Sequence, residues 1–134
     1  MIKKIAALLA VTIMVLALCS CGGNEAEKVA SGLEGTWSWS SALSSDTYVF
    51  SDIDGNAGRF KYYSGTFTDN SAGSGGTFGV HPEDKTVVLT FQYSFDSSGK
   101  MTEMEKASSR TLNYTFEKGN VALFRANGAE FTHK

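Results

Sequence analysis

The sequence predicts an all-β protein, an antiparallel up-and-down meander of strands closed into a small barrel. Apolar and polar residues alternate with a period of two after residue 33, most clearly over 86–95, where Val87, Leu89, Phe91, Tyr93 and Phe95 would share one face. Nine Phe, five Tyr and two Trp form a β-type composition. A two-sheet sandwich is the alternative, and closure into a barrel is favoured because it leaves no unpaired sheet edge.

The expected strands follow one another with short connections. In the run 110–117, Leu112, Tyr114 and Phe116 alternate with polar residues. For the stretch 97–110 a long loop, a helical turn and a strand continuation all stay open. The predicted strands cover 35–40, 46–51, 58–63, 65–69, 76–80, 86–95, 110–117, 120–126 and 129–133.

Turn residues separate these strands at the expected places. Lys118-Gly119 and Asn127-Gly128 are typical of two-residue hairpin turns, in which both residues have positive φ. Asp54-Gly55 and Ser98-Gly99 predict two further turns, and the segment 81–84 with its proline ends a strand before Thr86.

The first 20 residues are typical of a secretory signal peptide. Lys3 and Lys4 precede an apolar run over 5–18, which at 14 residues is shorter than the roughly 20 needed to span a bilayer. Small residues follow this run, as they do at signal cleavage sites. We therefore expect 1–20 to be a helical signal peptide.

The end of that run, Leu18-Cys19-Ser20-Cys21, resembles the lipobox of bacterial lipoproteins. The resemblance implies attachment of a diacylglycerol to the Cys21 thiol, with palmitate as an acyl chain of the anchor, and cleavage before Cys21, so that Cys19 leaves with the signal peptide. It places the protein on the extracytoplasmic side of the bacterial cell membrane. The expected organisation is a signal peptide over 1–20, a lipidated N-terminus and polar linker over 21–32, and a barrel domain over 33–134.

Composition argues against several classes of function. Without Lys3 and Lys4 the 12 basic residues become ten against 14 acidic ones, a net charge of −4. No basic cluster is present, so we expect no nucleic-acid partner. His81 and His133 lack a metal-ligand spacing, and no Gly-x-Ser-x-Gly motif occurs. The expectation is a monomer with no catalytic residues, metal or cofactor.

The segment 33–39, LEGTWSW, resembles the Gly-x-Trp signature on the first strand of lipocalins and their calycin-like relatives, with Gly35 and Trp37 in the signature positions. The resemblance implies a small lipocalin-like barrel. It also implies that an arginine near the last strands packs across the tryptophan, for which Arg125 is the candidate. An exposed arginine at a hairpin is the alternative.

These features together predict a non-catalytic binding module for a small apolar or amphipathic ligand. The alternative is a protein-interaction or inhibitor module of the cell envelope. In that case the barrel would be filled, and the loops at 69–76 and 97–109 would carry the interaction. A cavity above about 300 Å³ would favour the first. The candidate ligand-binding residues are Trp39, Tyr62, Phe91, Tyr93 and Tyr114.

Overall fold

A computed structural model describes residues 24–65 and 72–134 of the chain. The expected signal peptide, Cys21 and nearly all of the expected strand 65–69 lie outside the described residues. The elements are helix α1 (Asn24–Leu33) and strands β1 (Gly35–Ser40), β2 (Ser45–Asp54), β3 (Ala57–Ser64), β4 (Gly73–His81), β5 (Thr86–Phe95), β6 (Met101–Glu117), β7 (Asn120–Phe124) and β8 (Thr132–His133).

The eight strands form one antiparallel sheet in the order β7-β6-β5-β4-β3-β2-β1-β8. The last segment of the chain brings the two edges together. The Phe131 backbone N–H donates to the Leu123 carbonyl at 2.8 Å, and Phe124 bridges to Glu130. The next two residues form β8, which pairs with Trp37 and Ser38 of β1. The sheet is therefore nearly closed into a barrel, which confirms the predicted up-and-down architecture.

Helix α1 covers one end of the barrel. Its buried residues, Ala26, Val29, Ala30 and Leu33, have the spacing of one helical face. This face packs against β2, β3, β4 and β7. The prediction of a polar linker over 21–32 is wrong from residue 24 onward. A helix this short is marginal alone, and tertiary burial of its apolar face stabilises it. The buried face of α1 therefore belongs to the hydrophobic core of the described residues.

The first turn of α1 is attached to the barrel by Glu25. Its carboxylate accepts hydrogen bonds from Lys85 Nζ and from Tyr114 Oη, the latter at 2.9 Å. The hydrogen bond from Lys85 is the main cause that lowers the pKa of Glu25. Burial, with the hydrogen bond to Glu25, raises the pKa of Tyr114. These contacts fix the helix over the barrel end.

Aromatic rings fill the middle of the barrel. Phe50 meets Phe78 edge-on with ring centroids 5.0 Å apart, and Phe60 meets Phe91 at 4.9 Å. Tyr48 lies among them and is buried. Such edge-to-face pairs are the preferred geometry of aromatic rings. The inward side chains therefore form a packed core between α1 and the other end of the barrel.

The local turn signals are largely confirmed. Lys118 and Gly119 both have positive φ, 54° and 81°, as a two-residue hairpin requires. The hairpin at Asn127-Gly128 is wider than predicted, because the Arg125 N–H donates to the Ala129 carbonyl and places Ala126 in the loop as well. As a result β7 ends at Phe124, two residues earlier than predicted.

The ambiguous stretch 97–110 forms a turn and then most of β6. The Asp96 carboxylate accepts hydrogen bonds from the backbone N–H groups of Ser98 and Lys100, at 2.9 and 3.0 Å, which closes the turn. From Met101 the chain is a strand. Phe91 pairs with Ser108 but Tyr93 pairs with Glu103, so residues 104–107 oppose only Gln92.

A β-bulge in β5 corrects the predicted alternation of that strand. Phe91 pairs with Gly76, and Tyr93 pairs with the very next residue, Gly75, so Gln92 is the extra residue. A one-residue slip moves every later side chain to the other face. Tyr93 and Phe95 therefore lie on the outside, where Lys61 Nζ is 5.4 Å from the Phe95 ring centroid.

Candidate functional site: a cavity at the uncovered end of the barrel

The end of the barrel opposite α1 holds a cavity of about 380 Å³, here called the mouth cavity. Strand β7 pairs only with residues 113–117 of β6, so among the described residues no strand pairs with the edge of 110–112 on that side. The turn after β7 crosses this gap instead. The cavity is lined by Asp46, Tyr48, Tyr62, Arg110, Thr111, Leu112, Arg125, Ala126, Asn127 and Phe131.

Asp46 connects two sides of the mouth cavity. Its Oδ2 accepts a hydrogen bond from Arg125 Nε at 3.1 Å, and its Oδ1 accepts one from Tyr62 Oη at 2.7 Å. The Arg125 guanidinium also lies over the Trp39 ring, with Cζ 3.9 Å from the centroid. Both carboxylate oxygens of Asp46 thus have donors, and the charge of Arg125 is paired.

Arg110 of β6 lies at the rim of the mouth cavity, where it lines the cavity and is also exposed to solvent. It has the inward parity of Leu112 and Tyr114, and it pairs across the sheet with buried Leu89. Its Nη1 donates to Tyr48 Oη at 2.6 Å. Its Cζ lies 4.8 Å from the Tyr62 ring centroid and 5.0 Å from that of Phe91, within the range of cation–π attraction.

The two tyrosines of the cavity stay neutral near pH 7. Burial raises the pKa of Tyr48 to about 12, although the adjacent Arg110 opposes the shift. Burial and the hydrogen bond to Asp46 also raise the pKa of Tyr62. Their phenols therefore act as hydrogen-bonding groups, and the cavity combines two guanidinium groups and one carboxylate with an apolar floor of Leu112 and Phe131.

Three of the five predicted ligand-binding residues come together at this end. Tyr62 lines the mouth cavity, and Phe91 lies directly beneath the Arg110 guanidinium. Trp39 stacks against the Arg125 guanidinium. These three side chains surround the cationic groups of the cavity.

The other two predicted ligand-binding residues lie elsewhere. Tyr93 is turned outward by the bulge at Gln92 and lines an outer depression with Met101 and Met104. Tyr114 lies at the opposite end of the barrel, buried beneath α1 with its hydroxyl on Glu25. Neither residue lines the mouth cavity, because Tyr93 lies on the outer face of the sheet and Tyr114 lies at the end of the barrel covered by α1.

The Gly-x-Trp residues lie at the end covered by the helix. Trp37 is 2 % exposed, donates from Nε1 to the Leu33 carbonyl at 2.7 Å and stacks on His133 with centroids 4.1 Å apart. Gly35 has φ 118°, and a Cβ there would lie 2.9 Å from His133 Nε2. The expected packing of Arg125 on Trp37 is wrong, since β7 carries Arg125 to the other end and Trp39.

Sequence reasoning missed Asp46, Tyr48 and Arg110. The alternation of the strands could have placed all three on the inward face. Asp46 and Tyr48 lie four and two residues from Phe50, and Arg110 lies two residues from Leu112. A charged residue on the apolar face at a strand end is a candidate site residue. The mutual contacts among the three depend on which strands become neighbours.

Comparisons with known proteins name no relative, since no family model, curated protein or solved structure matches the chain. Within residues 24–65 and 72–134, no helix has the length and apolar character required to cross a membrane. Over the same residues no group of three or more His, Cys, Asp or Glu side chains is arranged to hold a metal ion. The expectations of a monomer and of no nucleic-acid partner stay predictions.

Proposed function

We propose that this protein is a membrane-anchored surface lipoprotein and a non-catalytic binding module for a small amphipathic molecule, which it takes into the mouth cavity. The observation that carries the proposal is the cavity itself, about 380 Å³ at the uncovered end of a packed barrel. This volume lies within the roughly 300–1,000 Å³ of small-molecule sites.

The lining of the cavity supports an amphipathic ligand over a purely apolar one. Leu112 and Phe131 supply apolar surface at the floor, while Asp46, Arg110 and Arg125 supply hydrogen-bonding groups around it. A few convergent polar groups in a mainly apolar concavity fix the orientation of a bound molecule. Trp39, Tyr62 and Phe91 hold those polar groups in position.

The anchor would hold the barrel close to the membrane. Only Gly22 and Gly23 separate Cys21 from the first residue of α1. Three residues span at most about 10 Å. Since α1 covers one end of the barrel and the cavity opens at the other, this short connection supports an orientation in which the cavity faces away from the bilayer.

The anchor is tested by Cys21→Ser in the full chain. We expect the variant to lose acylation and, once the signal peptide is removed, to leave the membrane fraction, because Cys21 is the thiol to which the lipid is attached. Mass spectrometry of the N-terminal peptide with membrane fractionation measures both. An acylated, membrane-bound Cys21→Ser protein would contradict the lipoprotein proposal.

Binding is tested with naphthoate and naphthamide, an acid and a neutral amide of the same shape. For the form beginning at Asn24 we expect saturable one-to-one binding of at least one probe, with amide NMR shifts concentrated at 110–112 and 125–131. Ala126→Trp fills the cavity and should abolish binding. The matched control Ala107→Trp, on the outer depression of β6, should bind as the parent does.

A second candidate function is favoured by the free edge of β6. Strand β7 pairs with residues 113–117 only, so within the described chain the outer edge of 101–112 has no neighbouring strand. Met101 on this segment is 58 % exposed. A partner that adds a strand would pair with such an edge.

Hydrogen exchange separates the two functions. A strand partner in the bacterial envelope would protect the amides of 101–112 relative to the purified protein. A ligand in the mouth cavity would instead protect 125–131. Protection of the β6 edge with no binding of either probe would replace the ligand-binding proposal by the interaction module.

A further inference from the structure

Arg110 places a positive charge at the rim of the mouth cavity, and no described residue forms an ion pair with it. Among the described residues the ion pairs are His81–Glu83, Lys85–Glu25 and Arg125–Asp46, and none includes Arg110. The Arg110 guanidinium instead contacts the hydroxyl of Tyr48 and the rings of Tyr62 and Phe91. Its position is therefore fixed by neutral groups.

Arg125 shows the contrast within the same cavity. Its guanidinium is paired with Asp46 and stacked on Trp39, so its charge is largely compensated. The charged lining residues Asp46, Arg110 and Arg125 leave the cavity with one net positive charge. Asp46 cannot turn to Arg110 without giving up its hydrogen bonds from Arg125 and Tyr62.

This positive charge stands out in a chain whose net charge is −2 over its full length. A concave site with a net charge of one sign attracts ligands of the opposite sign. Tyr48 does not neutralise Arg110, because its phenol keeps its proton near pH 7. The Arg110 guanidinium therefore keeps its positive charge, and it has further N–H groups that could donate to an anion in the cavity.

Resting on the proposed function, we propose that the ligand of the mouth cavity is a small amphipathic monocarboxylate whose carboxylate is bound by Arg110. The guanidinium fork matches a carboxylate in geometry and charge. The apolar part of the ligand would lie against Leu112 and Phe131 at the floor. A dianion is disfavoured, because the cavity offers a single uncompensated positive charge and Asp46 lies beside it.

The test compares dissociation constants of naphthoate, naphthamide and naphthyl phosphate at neutral pH by calorimetry, with the form beginning at Asn24. We expect naphthoate to bind at least about tenfold more tightly than naphthamide, and more tightly than the phosphate. The preference should shrink at high salt. Arg110→Gln should reduce naphthoate binding to the level of naphthamide and leave naphthamide unchanged.

The matched control is Arg59→Gln, which removes the same charge from the outer face of β3 next to exposed Ser51 and Thr77. It should leave both affinities within about twofold, because screening weakens charges outside the cavity. If Arg110→Gln loses both probes, Arg110→Lys decides: a retained preference for the acid supports the inference, and equal binding overturns it.

The outcomes separate the two proposals. Equal binding of naphthoate and naphthamide to the parent protein overturns the carboxylate inference and leaves the mouth cavity as a ligand site. Tighter binding of the phosphate overturns the restriction to a monoanion. Binding of none of the three probes overturns both the inference and the proposed function.

Discussion

Arg125 stacks on Trp39, whereas Trp37, two residues earlier on the same face of β1, stacks on His133. The two indole rings thus pack at opposite ends of the barrel. Trp37 lies at the end covered by α1 and donates to the Leu33 carbonyl. Trp39 is half-buried beside the mouth cavity and holds one of its two arginines.

The first prediction concerns these two tryptophans. Trp37→Ala should lower the free energy of unfolding by about 3–5 kcal/mol, the usual cost of truncating a buried aromatic residue. Trp39→Ala should cost clearly less, because its ring is half-buried, and should weaken probe binding through Arg125. Urea denaturation with both variants measures the difference. Equal, small shifts in the two midpoints would contradict a structural role for the Gly-x-Trp segment.

The second prediction concerns Gly35. Gly35→Ala should destabilise the fold by more than about 1 kcal/mol, since alanine is strained at positive φ and its Cβ would lie 2.9 Å from His133 Nε2. The matched control is Gly79→Ala in β4, where a Cβ would lie 3.9 Å from its nearest neighbour, His81 Nε2. Thermal unfolding compares the two. A Gly35→Ala protein as stable as the control would contradict the proposed constraint.

Part of that cost should be relieved by a second change. His133→Ala removes the ring that the new Cβ meets, so the double variant should lose less than the two single variants together. The remaining cost would then measure the strain of the backbone alone. Strict additivity would show that His133 does not set the requirement for glycine.

The third prediction concerns helix α1. Leu33 is fully buried, so Leu33→Ala should cost about 2–5 kcal/mol. Lys28→Ala, on the exposed side of the same helix, should change stability by less than about 0.5 kcal/mol. Chemical denaturation of the form beginning at Asn24 measures both. If Leu33→Ala costs no more than Lys28→Ala, the helix does not belong to the cooperative unit.

The fourth prediction concerns the attachment of α1 through Glu25. Its pKa is lower in the folded protein than the ordinary 4.5, so the ionised form is the one favoured by folding. Ionised Glu25 therefore contributes to the free energy of unfolding above about pH 4.5. This contribution is lost as the pH falls through the pKa of Glu25 in the folded protein. Because the ion pair with Lys85 is partly exposed, we expect it to be below about 1 kcal/mol.

Stability curves for Glu25→Gln and the parent protein test this prediction. The parent should be more stable near pH 7, and the difference should vanish toward pH 3 as the carboxyl of Glu25 protonates. Glu27→Gln is the matched control, since Glu27 lies on the exposed side of the same helix turn. A difference between Glu25→Gln and the parent that stays constant with pH would contradict the role of the Glu25 carboxylate.

Local sequence patterns were sufficient to predict most of the strands and turns, because alternation and turn chemistry are local properties. The run 86–95 contains a strand whichever strands become its neighbours, and Lys118-Gly119 adopts positive φ wherever the hairpin packs. The up-and-down order follows from short connections, which leave each strand beside the next. The predicted strand 65–69 lies almost entirely outside the described residues and stays a prediction.

Which side chains come into contact depends on the tertiary structure. Gln92 becomes a bulge because β5 must match two neighbours, and that single extra residue sends Tyr93 outward. Residues 24–33 form a helix because the open end of the barrel buries its apolar face. Arg110 faces Tyr48, and Arg125 faces Asp46, across 62 and 79 residues of chain. Contacts over such separations arise from the pairing of strands, which no local pattern encodes.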